Sequence, residues 1–125
     1  MVKHYLKLED LKAYMIAFGL ANDVWKVVSA WDNFNKFSLG RQFTEAVDSI
    51  SANIAEGFGR YHKKDKVKFY YNARGSAFES FDWLRKAKVR LLISDVQEVT
   101  IRNELARLPQ EINGLIKYTN DRLTI

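Results

Sequence analysis

The sequence predicts an all-α protein, an antiparallel up-down-up-down four-helix bundle that takes residues 1–125 as one domain. Three observations carry this reading. Apolar residues recur at spacings of three and four in four successive segments, the period of a helix with one buried face. Glycine occurs only 6 times and proline once, too few for the many tight turns of a sheet protein. The segments are joined by short connections, which favour antiparallel neighbours.

The first segment, Leu8 to Trp31, sets Leu11, Met15, Phe18, Ala21, Trp25 and Val28 on one stripe. Polar Asp32, Asn33, Asn35 and Lys36 interrupt it, and Ser38 then offers a hydroxyl to cap the exposed N–H groups of a second helix. That helix carries Leu39, Phe43, Val47, Ile50 and Ile54 and reaches Gly57 and Gly59, residues able to take the left-handed conformation that ends helices. A turn from Gly57 to His62 leads into a third helix, about Lys63 to Ile93, striped by Val67, Tyr70, Ala73, Ala77, Phe81, Leu84, Ala87 and Leu91. At ~1.5 Å per residue it is roughly 45 Å long, so the bundle is elongated. Asp95, with Glu98 three residues on, reads as a cap with its reciprocal acceptor and opens a fourth helix bearing Ile101, Leu105, Leu108, Ile112 and Leu115. Pro109, inside that stripe, lacks a backbone donor and is expected to kink the helix or mark the start of its second half.

Composition narrows the function classes. With 125 residues, 47% hydrophobic, 14% aromatic and 28% charged, the chain has the apolar content for one core and is not a disordered tail. The absence of cysteine excludes a disulfide framework, a thiolate zinc site and a cysteine nucleophile, and suits a reducing, cytoplasmic location. The longest apolar run, from Ala13 to Ala21, is about half the ~20 residues of a membrane span. Glu9 and Asp10 precede it where a secretion signal would be positive. A soluble, untargeted protein without a membrane is expected.

Catalytic chemistry finds no foothold. Carboxylates inside a four-helix bundle invite a di-iron reading, whose signature is a Glu with a His three residues later on two helices. Glu56 is followed at that spacing by Gly59 and Glu79 by Asp82, and the two histidines, His4 and His62, lie at the amino terminus and in a turn. Neither a metal centre nor a Ser-His-acid set can be assembled from them. Gly57-Phe58-Gly59 lacks a third glycine and a Lys-Ser/Thr ending, so it is turn chemistry and not a phosphate loop. The expectation is a non-enzymatic protein with no cofactor and no metal.

A resemblance adds what periodicity does not supply. The segment Gln42 to Arg60, with SISANIAEGFGR from Ser49, followed by RYH and by ARGSAFES from Ala73 to Ser80, resembles the four-helix-bundle family of proteins encoded in intervening sequences of large-subunit ribosomal RNA genes. It spans most of helices two and three. That family is similar in turn to accessory proteins of diversity-generating retroelements, pentameric rings that bind nucleic acid together with a reverse transcriptase. The resemblance therefore implies a ring, a homopentamer, with RNA or DNA and a reverse transcriptase or other protein as partners. Its motif residues here are Gln42, Ser49, Asn53, Glu56, Gly57, Arg60, Gly75, Ser76 and Glu79. Thr44 and Glu45 stand where many relatives have two arginines and Asp48 where they have a valine, so a role resting on those arginines does not carry over.

These motif residues also have a physical reading. Asn53, Glu56 and Arg60 share one flank of helix two. A hairpin centred near Tyr61 puts Gly75 beside Val47, Ser76 beside Ala46 and Glu79 beside Phe43, within reach of Arg41 and Gln42. Such groups serve as structural ties within the bundle or between subunits; a polar pocket for a small ligand is the alternative.

Charge is the remaining signal. The formal net charge is +5, and it is unevenly spread. Between Arg60 and Arg90 stand ten basic residues against Asp65, Glu79 and Asp82, giving that segment +7 and the rest of the chain −2. Segregation of this kind is the footprint of a polyanion partner. Arg60, Lys63, Lys64, Lys66, Lys68, Arg85, Lys86, Lys88 and Arg90 are the candidate nucleic-acid contacts. The interleaved Tyr61, Phe69, Tyr71 and Trp83 could stack on unpaired bases. The competing reading is a scaffold whose lysines are a solvated face and whose aromatics are core.

Overall fold

The computed structural model describes residues 6–124, and among these there are four long helices and no strand: α1 Lys12–Ser29, α2 Arg41–Gly59, α3 Lys63–Val89 and α4 Asp95–Arg122. α2 packs between α1 and α3, and α4 between α3 and α1. This is the antiparallel four-helix bundle. One core draws on all four helices, with Leu20 and Val24 meeting Phe43, Val47, Ile50 and Ile54, Tyr70 and Leu84, and Ile101, Leu105, Leu108 and Ile112. Each such side chain contributes about 1.5–3 kcal/mol by leaving water.

The stripes expected for α2 and α4 face this core, apart from a half-buried Leu115. α3 follows its stripe except at its end, where Leu91 is exposed. α1 does not: its buried face is Ala13, Ala17, Leu20, Ala21, Val24 and Val28, while Met15 and Phe18 are about half exposed and Trp25 more so. The helix carries two apolar stripes. The alanine-rich one, with Leu20, Val24 and Val28, faces inward.

Helix ends also depart from expectation. The second helix starts at Asp32, before Ser38. A short α turn, Asn33–Asn35, and a π turn, Lys36–Gly40, run directly into α2. Asp32 accepts from the backbone N–H of Asn35 at 3.3 Å and from its Nδ2 at 2.7 Å, and these bonds hold its carboxyl below the usual range. A carboxylate also complements the positive helix start, and the Ser38 hydroxyl donates backwards to the Phe34 carbonyl at 2.6 Å. Neither Gly57 nor Gly59 has positive φ; α2 simply ends in extended backbone at Arg60. The left-handed residue is Leu91, φ 61°, so α3 stops at Val89, short of Ile93. The N–H groups of Leu91 and Leu92 return to the carbonyls of Lys88 and Ala87 at 3.1 and 2.9 Å, a Schellman closure.

α4 is capped one residue earlier than expected. Ser94 Oγ accepts from the Gln97 N–H at 3.1 Å, and Gln97 Oε1 accepts from the Ser94 N–H at 3.0 Å. Asp95 instead pairs with Lys88 across the turn. The helix runs through Pro109 undivided, with Leu105, Leu108 and Ile112 anchoring both halves in the core against the cost of the proline.

Candidate nucleic-acid interface

The α2–α3 contact gathers three motif residues. Asn53 Nδ2 donates to the carbonyl and hydroxyl oxygens of Ser49 at 2.8 and 2.9 Å, and Ser76 Oγ donates to Ser49 Oγ at 3.0 Å. Ser76 thus meets Ser49 and not Ala46. The shift has a geometric cause: helical side chains lean toward their own amino terminus, so in an antiparallel pair each partner covers a spot behind its Cα. Gly57 joins the seam lower down. A Cβ there would lie 2.9 Å from the Lys66 carbonyl oxygen.

The other motif residues stay outside this cluster. Glu56 accepts from Arg60 at 2.7 Å on the surface of α2. Glu79 accepts from Trp83 Nε1 at 3.3 Å, while Arg41 pairs with Glu45 at 3.2 Å, so the expected Glu79–Arg41 pairing is not made. Gln42 and Gly75 are exposed. Hydrogen bonds join Ser49, Asn53 and Ser76 into one small network between α2 and α3.

The nine candidate cations divide by what holds them. Besides pairing with Glu56, Arg60 stacks its guanidinium 4.7 Å from the centre of the Phe69 ring. Lys63 donates to the Leu123 carbonyl at 3.2 Å. Lys66 donates to the Phe58 carbonyl at 2.7 Å and to that of Gly57 at 3.5 Å, closing the carboxyl end of α2; burial pushes its pKa below the usual lysine value. Lys86 pairs with Asp82 at 2.7 Å, and Lys88 pairs with Asp95. Lys64, Lys68, Arg85 and Arg90 are exposed, and among the described residues none of the four has an ion-pair partner.

These free cations form two groups at the two ends of α3 and not one continuous patch. Lys64 and Arg85 are separated along α3 by roughly 30 Å at ~1.5 Å per residue. Between them the outer surface carries half-exposed Tyr71 and Phe78 with the acidic Glu79 and Asp82. Phe69 and Trp83 are half-buried, and Tyr61 is exposed against His62, their rings 5.1 Å apart and edge to face.

Other features were not singled out by sequence. A cleft of about 510 Å³ opens between α1 and the π turn, lined by Trp25, Val28, Ser29, Lys36, Phe37, Arg41 and Thr44. Its signals were the second apolar stripe of α1 and the phenylalanines in an otherwise polar connection. Across α1 and α4, burial and then the neighbouring Asp23 carboxylate push Glu104 up to about 7, against an opposing pull from Arg107. The Arg74 Nε is buried with no hydrogen-bond partner. Among the described residues, no three His, Cys, Asp or Glu side chains converge as a metal site; His4 lies outside the described residues.

The fold is shared with a solved structure. A protein with unknown function from the S23 ribosomal protein family of Bacteroides thetaiotaomicron, known from a crystal structure, superposes with a TM-score of 0.78 at 22% identity, covering 84% of this chain and 95% of its own. No curated protein matches the chain. Residues 9–114 match the 23S rRNA-intervening sequence proteins. With that match reaching from the turn before α1 into the last third of α4, the chain belongs to the family of 23S rRNA-intervening sequence proteins.

Proposed function

We propose that the protein is a non-enzymatic, ring-forming accessory factor of the cytoplasm that binds RNA or DNA with little sequence preference. The observation that carries this is a set of four exposed, unpaired cations: Lys64 and Lys68 at one end of α3, and Arg85 and Arg90 in its last turns and at its cap. Unpaired cations contribute by displacing counterions from phosphates, whereas cations already held by carboxylates have that attraction partly cancelled. Spaced groups suit a long backbone that crosses the bundle from end to end. Membership of a family named for intervening sequences of 23S rRNA supports an RNA partner.

The apolar surface supports assembly. Met15, Phe18 and Trp25 on α1 and Tyr71 and Phe78 on α3 are about half exposed or more, and apolar groups of this size on opposite sides of a bundle suit contacts between copies. A homopentamer multiplies the phosphate contacts fivefold.

A scaffold reading, with a reverse transcriptase or another protein as partner, is favoured by the pairing of Arg60, Lys86 and Lys88 with carboxylates. Salt-dependent binding to labelled RNA and DNA oligonucleotides separates the two. Replacing Lys64, Lys68, Arg85 and Arg90 together by alanine should weaken binding and lower the log-log salt slope by about one unit per lost contact. Equal binding by the variant, or none by the parent at low salt, installs the scaffold reading. Light scattering that returns a 14.6 kDa monomer overturns the ring.

A further inference from the structure

The most exposed large apolar side chains gather at one end of the bundle. Antiparallel topology sets the α1–α2 connection and the α3–α4 turn side by side. They carry Phe34 (79% exposed), Phe37 (69%), Val89 (81%), Leu91 (86%) and Val96 (76%). At the other end Tyr61 is the one such residue above 70% among those described. Phe34, Val89, Leu91 and Val96 sit in or next to these two connections, and Phe37 extends the apolar surface to the cleft beside Trp25.

Leu91 sharpens the point. Its φ of 61° is a conformation that glycine adopts freely and leucine at a cost, and the side chain gains no burial in return. A stable turn alone would call for glycine here. The backbone strain holds an aliphatic group out into solvent, which is the kind of outlier that points to function.

A basic collar surrounds the apolar tip. Residues 29–41 and 85–99 hold six basic side chains against three acidic ones, Asp32, Asp95 and Glu98. Three of the bases are paired, Arg41 with Glu45, Lys86 with Asp82 and Lys88 with Asp95, and of the remaining acids Asp32 caps a helix and Glu98 pairs with Arg102, which leaves Lys36, Arg85 and Arg90 as the free cations. A cavity of about 460 Å³ beside the tip is lined by Asp82, Arg85, Lys86, Val89 and Arg90, so two unpaired guanidinium groups stand next to an exposed valine. Guanidinium is the side chain best matched to phosphate oxygens.

We propose that this end of the bundle docks on the surface of an anionic lipid bilayer. Phe34, Phe37 and Leu91 enter the interface, and Arg85 and Arg90 engage lipid phosphates. Aliphatic side chains such as Val89, Leu91 and Val96 offer nothing to stack on bases, so a nucleic acid leaves them unexplained. The boundary between headgroups and acyl chains takes aliphatic and aromatic groups together, and its negative potential matches the collar. No helix among the described residues is long and apolar enough to cross a membrane, so the contact is peripheral. It shares Arg85 and Arg90 with the nucleic-acid reading but does not rest on it, because the exposed apolar side chains that carry it have no part in that reading.

The test is co-sedimentation of the full chain with vesicles of phosphatidylglycerol and phosphatidylcholine, and with pure phosphatidylcholine vesicles. The protein should partition onto the anionic vesicles and at least about tenfold less onto the neutral ones. Leu91→Gly and Phe34→Ser should each lower partitioning about tenfold, the scale of one large apolar side chain, while leaving RNA binding in place, with the melting temperature unchanged in Phe34→Ser and raised in Leu91→Gly. Three results overturn the proposal: no binding to anionic vesicles at low salt, binding unchanged in both variants, or both variants turning an oligomer into a monomer, which assigns the tip to a second copy of the chain.

Discussion

Gly57 and Tyr70 approach so closely that a Cβ on Gly57 would lie 2.7 Å from Tyr70 Cε1. Tyr70 is among the largest fully buried side chains, and burial raises its phenol to about 12. The ring is walled in by the core and the Lys66 carbonyl is backbone, so neither can retreat at low cost. Gly57→Ala is expected to destabilise the protein by about 1–3 kcal/mol. Gly75, with nothing near its missing Cβ, should gain about 0.5–1 kcal/mol as alanine because it sits inside a helix. Urea unfolding of the two variants reads both signs.

Leu91→Gly should raise stability. A leucine in the left-handed region costs about 1–2 kcal/mol, which glycine removes while giving back part through its greater freedom in the unfolded chain. The expected net gain is about 0.5–1 kcal/mol, seen as a melting temperature higher by several degrees. No gain would mean that the Leu91 side chain has contacts its exposure does not suggest.

Glu104 gives the fold a pH dependence. Burial and the Asp23 carboxylate raise its pKa from an ordinary 4.5 to about 7, and its Oε2 is buried without a partner. Between these two values the folded chain holds a proton that the unfolded chain has released. Stability from this site is therefore greatest below about 4.5, falls as pH rises, and is fully lost above about 7. Glu104→Gln, which cannot ionise, should flatten the dependence between pH 5 and 8 and stabilise most at pH 8. A parent slope unchanged in the variant would assign the dependence elsewhere.

Neighbouring lysines should separate structure from binding. Lys66 satisfies two carbonyls at the end of α2, so Lys66→Ala should cost about 1 kcal/mol of stability. Lys64, exposed and unpaired, should cost less than about 0.5 kcal/mol. For RNA binding the order reverses, with Lys64→Ala lowering the salt slope by about one unit and Lys66→Ala leaving it unchanged. Thermal melts and salt titrations on the same two variants check both halves.

The stripes of α2 and α4 were legible because each helix presents one run of large apolar residues. In α1 two stripes compete, and periodicity records the angle between residues without saying which faces the core. Cap positions slipped for a related reason: Asp32 against Ser38, six residues apart, and Ser94 against its neighbour Asp95 are candidates of similar chemistry, and the choice depends on where the preceding chain is delivered. Among the nine basic candidates the sequence carried charge alone. Whether a lysine faces water, as Lys64 does, or ends a helix, as Lys66 does, depends on which groups the α2–α3 turn brings within 3 Å of its nitrogen.

By itself the sequence determined the helical class, the number of long helices, the antiparallel order and the location of the excess charge, since all of these follow from local spacing and composition. Only the tertiary structure decided that Ser49 meets Ser76, that Gly57 serves close packing and not a turn, that Leu91 holds the left-handed position, and that Met15, Phe18 and Trp25 stay outside. Each of these is a choice between locally equivalent options. Such choices are settled by the volume and partners available once all four helices are in contact, and no window of neighbouring residues contains that information.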